Sequence, residues 1–333
     1  MKTSRLAAIA ATLLALALLL TACGEKSEDE TGASLQPFSL TLDFYPNPDH
    51  AGIYMAQKLG YFEDAGLDVS IQTPADPAAP TKQVAAGRTD LAISYEPEVL
   101  LAHEQGLDVL AVGAIVDRPL TSMIWLKKSG IGGIAGLKGK TIATAGIPYQ
   151  DAYLATILAR ADLKPSDVKT VNVGFGLLPA LVGGRAQAML GGFRNVEGVD
   201  LRLRGKNPVV TPVDRLGVPT YDELVLLANR SRLEADPEPA RLFLGALARG
   251  TAAAKQNRTA TTEALLAANK DLDPRLTEAE VVATLPLLSE SGRMDPAKWS
   301  AFIAWMNENG QLDGRPAPGE VLSNEYLAGE IPE

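Results

Sequence analysis

One cysteine and two histidines in 333 residues leave little material for most site chemistries. The cysteine is Cys23, so an internal disulfide, a cysteine-ligated zinc, a redox pair and a cysteine nucleophile are excluded from whatever folds beyond it. His50 and His103 alone cannot build a clustered metal site, and neither a metal nor a cofactor is expected. Positive charge is scarce as well, with 31 Lys and Arg against 40 Asp and Glu. No stretch concentrates the basic residues among aromatics, so the phosphate-tracking surface that a nucleic-acid partner requires is missing. Leu6 to Ala22 is apolar or small throughout, but its 17 residues fall short of the roughly 20 that span a bilayer comfortably as a helix.

That short run follows Lys2 and Arg5 and ends in Leu20-Thr21-Ala22-Cys23-Gly24, the pattern of a signal peptide closing on a lipobox. Residues 1–22 are expected to be removed and Cys23 to carry lipid; the alternative is an uncleaved anchor helix. Two or three acyl chains would hold the protein stably at the extracytoplasmic face of the cell membrane, where one would not. Residues 23–36 then read as the lipidated cysteine and a flexible tether, too polar to bury. Removing residues 1–22 takes away two positive charges and no negative ones, which moves the formal charge from −9 to −11.

The remaining ~300 residues exceed what one core usually supports, so two lobes are expected. Strand candidates at 38–44, 69–72, 90–94, 109–115, 123–127, 141–144, 170–173 and 187–190 alternate with helical patterns, which argues an α/β fold. From about Pro237 the pattern is purely helical, with helices expected at 240–254, 261–269, 277–288 and 296–309, packed as a cap on one lobe. Val84-Ala85-Ala86-Gly87-Arg88 before one strand is echoed by Leu181-Val182-Gly183-Gly184-Arg185 before another. Two similar lobes would give this echo; so would two ordinary helix-to-strand turns with glycine caps.

Ligands of open α/β sheets bind outside the carboxyl ends of the strands. Four strand-to-helix junctions are rich in aromatic, acidic, amide or glycine residues: Asp43-Phe44-Tyr45-Pro46-Asn47-Pro48-Asp49-His50, Ser94-Tyr95-Glu96-Pro97-Glu98, Ala145-Gly146-Ile147-Pro148, and Gly191-Gly192-Phe193-Arg194-Asn195-Val196-Glu197. Two fall in each expected lobe. Closing the lobes would set aromatic faces around a flat ligand, with acids and amides at its edge, which suits a planar heterocycle. Each residue also has a plainer reading: Asp49 as a helix cap, Phe44 and Phe193 as core, Glu197 as a solvated helix-start acid, His50 as a satisfied polar group. The candidate ligand-binding residues are Asp43, Phe44, Tyr45, Asn47, His50, Tyr95, Glu96, Gly146, Ile147, Pro148, Phe193, Arg194, Asn195 and Glu197.

Leu42-Asp43-Phe44-Tyr45-Pro46-Asn47, His50, Gly60-Tyr61-Phe62, Gly66-Leu67-Asp68-Val69, Gly87-Arg88-Thr89-Asp90-Leu91-Ala92, Ser94-Tyr95-Glu96-Pro97, Gly136-Leu137-Lys138-Gly139-Lys140-Thr141, Asn195-Val196-Glu197-Gly198 and Gly217-Val218-Pro219-Thr220-Tyr221-Asp222-Glu223-Leu224 together resemble the binding-protein branch related to the thiamine pyrimidine synthases. The resemblance implies a type II periplasmic binding fold and a substrate-binding protein of an ABC importer for hydroxymethylpyrimidine-type or formylaminopyrimidine-type thiamine precursors. It also implies a membrane permease as partner and a monomeric chain, with residues 37–125 and 225–333 in one lobe and 126–224 in the other.

Two positions depart from that pattern. Many relatives carry Trp where Phe44 stands, and an aromatic where Arg194 stands. A guanidinium can stack, but it can also pair with an anion that a neutral pyrimidine lacks, which keeps riboflavin or another small heterocycle or anion as an alternative ligand. The rival from another class is a synthase-like enzyme. The synthases place a reactive Lys and a His where this chain has Ser94 and Glu98, and a cysteine cluster near Gly217–Glu223, so no enzymatic activity is expected.

Overall fold

The computed structural model describes residues 34–327. The expected signal peptide, Cys23 and most of the tether lie outside the described residues. The first strand already begins at Gln36, inside the segment read as tether.

Ten strands form two five-stranded sheets. The first holds β1 (Gln36–Thr41), β2 (Leu67–Gln72), β3 (Leu91–Ser94), β4 (Val109–Val116) and β10 (Leu224–Asn229) in the order β2-β1-β3-β10-β4. The second holds β5 (Thr121–Leu126), β6 (Thr141–Thr144), β7 (Lys169–Asn172), β8 (Ala188–Phe193) and β9 (Pro208–Pro212) in the order β7-β6-β8-β5-β9. The two orders are equivalent. In each sheet three parallel strands run second-first-third, and the next strand is antiparallel: β10, which returns after the second sheet, in the first, and β5, which precedes the three parallel strands, in the second. The echo around Gly87 and Gly184 is part of this repetition: each glycine follows a short helix, 80–85 or 177–182, and leads into the third strand of its sheet. Both have positive φ, 65° and 76°, where a residue without Cβ is unstrained.

The chain passes between the sheets twice, through residues 117–120 and 213–223. The expected boundary at 125 therefore falls too late, because β5 pairs with β8 and β9 in the second sheet. The boundary at 225 falls one residue late, since Leu224 already pairs with Val116. β4 and β5 are buried at every position, so no alternation separates one from the other in sequence. β9 is an edge strand bounded by Pro208 and Pro212, an arrangement an edge tolerates.

Both crossings are tied together by buried carboxyls. Glu223, on the second crossing, accepts the Leu120 and Thr121 N–H groups of the first at 2.6 and 2.7 Å, the Thr121 hydroxyl at 2.8 Å and the Tyr221 hydroxyl at 2.9 Å. Its neighbour Asp222 accepts the Lys298 ammonium at 2.9 Å and the Trp299 indole N–H at 2.7 Å. Those two residues belong to helix 296–308.

Helices 238–256, 258–268, 274–284 and 296–308 follow the strands. Asn257, Asp273 and Asp295 cap three of them, with Pro274 and Pro296 opening two, which is why the helix expected from 277 starts at 274. Helix 238–256 crosses helix 51–58 so closely that a Cβ on Gly250 would run into the Gly52 carbonyl and Ala56. Helix 274–284 is more than a cap on one lobe. It packs on helix 258–268 and also on helix 197–203 of the second lobe, with Leu276, Glu280 and Thr284 spaced four apart along one stripe.

Candidate functional site

The carboxyl ends of β1, β3, β6 and β8 converge on a cavity of 170 Å³ between the lobes. From the junctions singled out in the sequence come Asp43, Phe44, Tyr45, Asn47, Tyr95, Ile147, Phe193 and Glu197, all lining it. Gly191 lines it too and holds φ at 110°; a Cβ there would collide with the Gln150 amide, another lining group. That amide accepts the Ala145 N–H at 2.9 Å, so Gly191 and Gln150 fix the floor between β6 and β8.

Six of the expected residues stand outside the lining. His50 is buried behind Asp43: its Nδ1 accepts the Asn47 N–H at 3.2 Å, so Nε2 carries the hydrogen that it donates to Asp43 at 2.9 Å. Glu96 turns to the second crossing and accepts the Asp222 N–H at 2.7 Å. Arg194 reaches the first crossing, where its Nε donates to the Pro119 carbonyl at 3.2 Å. Asn195 spans the lobes, donating to Asp49 and to the Thr284 hydroxyl, both at 2.8 Å. Gly146 borders the Asn172 side chain, and Pro148 is exposed. Asn47 lines the cavity, yet its amide is largely committed as the cap of the 48–50 turn: its oxygen accepts the Asp49 N–H and its nitrogen donates to the Tyr45 carbonyl. Asp43 likewise has both oxygens engaged, one by His50 and the other by the Tyr95 hydroxyl at 2.9 Å.

Aromatic rings wall the cavity on two sides. Phe44 and Tyr45 of the first lobe meet Phe175 of the second, with ring centroids 4.6 and 4.4 Å apart. Tyr95 meets Tyr149 across the lobes at 5.6 Å, and Tyr149 continues the contact to Tyr153 and then Tyr221 on the second crossing. Sequence reading missed the lining residues Tyr149 and Gln150, as well as Phe175, which packs on Phe44 and Tyr45, and it missed Leu272, Leu276 and Glu280 from the C-terminal helical region. One signal for Glu280 was present: an acid on the otherwise uncharged stripe Leu276, Glu280, Thr284.

The carboxyls of the site are strongly perturbed. Burial pushes Glu197 up to about 7 although the Phe193 N–H, 2.7 Å away, favours its charged form. Burial and then the Glu197, Asp200 and Asp49 carboxyls push Glu280 up to about 9. Asp49 is also raised, chiefly by burial, against the opposing Asn195 hydrogen bond. No lysine or arginine is among the lining residues. The site is therefore apolar and aromatic at its walls, acidic at one side and free of cations, suited to a flat, uncharged or basic ligand.

Residues 47–260 match the family described as NMT1/THI5 like. The chain belongs to the NMT1/THI5-like family. Among its relatives is a protein of Haemophilus influenzae named for thiamine biosynthesis, 35% identical over 87% of this chain and 91% of that one. The formylaminopyrimidine-binding protein of Halalkalibacterium halodurans is 33% identical over 91% of this chain and 94% of its own. A 4-amino-5-hydroxymethyl-2-methylpyrimidine phosphate synthase of Saccharomyces cerevisiae is 27% identical over 66% of this chain and 67% of its own. Among solved structures, the alkanesulfonate-binding protein of Xanthomonas axonopodis superposes with a TM-score of 0.69 at 18% identity, over 86% of this chain and 98% of that one. This NMT1/THI5-like chain thus has the two-lobed fold of type II periplasmic binding proteins. Among the described residues no helix is long and apolar enough to cross a membrane.

Proposed function

We propose that this protein is the extracytoplasmic binding component of an ABC importer and captures a thiamine pyrimidine precursor for delivery to a membrane permease. The observation that carries the reading is the cavity at the strand ends, with aromatic walls and with Glu197 and Glu280 at one side. An aminopyrimidine offers faces to Phe44 and Phe193 and donors to Glu197. The names of the Haemophilus and Halalkalibacterium relatives support the same class of ligand. An anion such as a sulfonate is disfavoured, because Arg194 is turned away to Pro119 and no other cation lines the cavity. Lipid anchoring at Cys23 and action as a monomer complete the proposal.

The role is binding rather than catalysis. Where the resemblance implies a reactive Lys and a His in the synthases, Ser94 is buried and hydrogen-bonds Thr81 at 2.8 Å, and Glu98 stands outside the cavity lining. The test is to release small molecules from the purified protein for mass spectrometry and to compare melting temperatures with 4-amino-5-hydroxymethyl-2-methylpyrimidine, riboflavin and an alkanesulfonate. A ligand at 100 times its Kd adds about 2.7 kcal/mol of stability, a readily measured shift. A shift with the flavin or the sulfonate but none with the pyrimidine overturns the reading.

A further inference from the structure

Two contacts join the lobes through residues that do not line the cavity. On the exposed side, Phe175 of the second lobe lies edge-on to Phe44 and tilted against Tyr45 of the first, at interplanar angles of 81° and 42°. Tyr45 is 52% exposed and lines the cavity, so this contact lies where the cavity meets solvent. Phe175 stands in the loop from β7 to helix 177–182, between Gly176 and Gly174, whose φ of 53° is the turn that brings the ring round to the first lobe. On the buried side, Asn195 spends both hydrogens of its amide outside its own lobe, one on Asp49 and one on the Thr284 hydroxyl. All three side chains are buried. Thr284 is one turn along the stripe from Glu280, so its bond to Asn195 pins the helix that carries Leu276 and Glu280 over the cavity. Neither Phe175 nor Asn195 is a lining residue. The energy of their contacts therefore belongs to the closed arrangement of the lobes and not to any one ligand, and hinged opening has to break them.

Resting on the pyrimidine reading above, we propose that Phe175 and Asn195 are positioning residues that fasten the closed lobes over the ligand and set how long it is held, by the same factor whatever group the pyrimidine carries on its side arm. A ligand enters while the lobes are apart, before either contact exists, so the fastening leaves the association rate alone and slows dissociation. An aromatic pair beyond its buried area, or one neutral hydrogen bond, is worth roughly 2- to 10-fold. Phe175 makes two such pairs and the Thr284 hydroxyl accepts one such bond.

Stopped-flow kinetics with two pyrimidines that share one ring test the proposal: 4-amino-5-hydroxymethyl-2-methylpyrimidine and the N-formyl derivative of its 5-aminomethyl analogue. Phe175→Ala should speed dissociation of both by roughly 5- to 100-fold, and Thr284→Val, which removes an acceptor of Asn195 at almost constant shape, by roughly 2- to 10-fold. Association should stay within about threefold of the unmutated protein in each variant, and Phe175→Tyr, which keeps the ring, should restore slow release. The factor should agree between the two compounds to within about threefold, whereas a residue that touched the side arm would give different factors. An unchanged dissociation rate in either variant, a slowing of association as large as the expected speeding of release, or unequal factors for the two compounds overturns the fastening while the pyrimidine reading stands. If neither compound binds the unmutated protein, both fall. Should Phe175→Ala fail to fold, Phe175→Leu, which keeps bulk and loses the aromatic face, decides in its place.

Discussion

The crossings between the lobes and the rim of the cavity both bury carboxyls, but they satisfy them differently. At the crossings, Glu223 accepts four hydrogen bonds and Asp222 has a donor on each oxygen. At the rim, Glu280 accepts none, Asp49 keeps one oxygen bare and Glu197 takes a single N–H from another residue. A carboxyl whose lone pairs are filled by the protein fixes geometry, since each donor would be orphaned without it. A carboxyl buried with its lone pairs open is destabilising by itself, and where it also lines the cavity, as Glu197 and Glu280 do, a ligand has something to contribute; Glu96, beside the second crossing, keeps one oxygen open without lining the cavity. The clamp and the reader are thus made from the same functional group.

The comparison breaks first at Glu223. Glu223→Ala orphans two backbone N–H groups and two hydroxyls in a buried crossing, and the expected loss is about 3–5 kcal/mol of unfolding free energy. Urea unfolding measures it; a loss below about 1 kcal/mol would remove the crossing's role as a clamp.

Glu197→Gln should do the opposite, weakening ligand affinity with little cost in stability. A hydrogen bond to a charged group contributes about 1.5–3 kcal/mol, so affinity for a pyrimidine ligand should fall roughly 10- to 150-fold. Calorimetry on this variant, with urea unfolding of the empty protein alongside, separates the two effects. A loss of stability as large as that of Glu223→Ala would place Glu197 with the clamp.

What could be read from the sequence follows from the same distinction. Prolines, glycines and aromatics at the strand ends identified the junctions, because backbone constraint is written into residue type: Pro46 and Pro48 bracket the Asn47 cap, and Gly191 needs its positive φ. Which way a side chain turns at a junction is set by neighbours far along the chain. His50, Glu96, Arg194 and Asn195 were legible as polar groups at the right loops, yet each is drawn off by a partner, from Asn47 and Asp43 beside His50 to Thr284 at 89 residues from Asn195. Leu276 and Glu280 were missed because they lie on a helix with no junction signal, and Leu272 because it lies in the turn before that helix; they reach the cavity only because the helix packs against both lobes. β10 was missed for another reason. Its run Leu-Val-Leu-Leu-Ala-Asn is short and apolar, and only its pairing with β3 and β4 makes it a strand.

The pH dependence of the empty protein sharpens the rim half of the comparison. An acid whose pKa is higher in the folded state holds its proton there after the unfolded chain has lost it, so stability falls as pH rises through that window. Glu98 and Glu197, pushed up to about 7, lose their protons first, and Glu280, at about 9, loses its own last. Between pH 7 and 9 Glu280 should contribute a decline of at most about 1.4 kcal/mol per pH unit. Chemical denaturation across that range checks it: Glu280→Gln should be flatter than the unmutated protein by up to that slope, and an unchanged slope would mean Glu280 is ionised at neutral pH.

The smallest effect belongs to Glu98, the residue that separates burial from function. Like the rim acids it is buried, has an oxygen without a partner and is pushed up to about 7, in its case by burial against the opposing pull of Lys82. Unlike them it does not line the cavity, since it sits on helix 96–104 one turn beyond the Tyr95 junction. If an open lone pair alone marked a ligand group, Glu98 would count among the readers; if contact with the cavity is also required, it would not. Glu98→Gln keeps the shape and removes the charge, so ligand affinity should change by less than about threefold, within the spread of a substitution that touches no ligand. The same calorimetric series used for Glu197→Gln decides it, and a tenfold loss would show that the acids around the cavity act through their collective field rather than by direct contact.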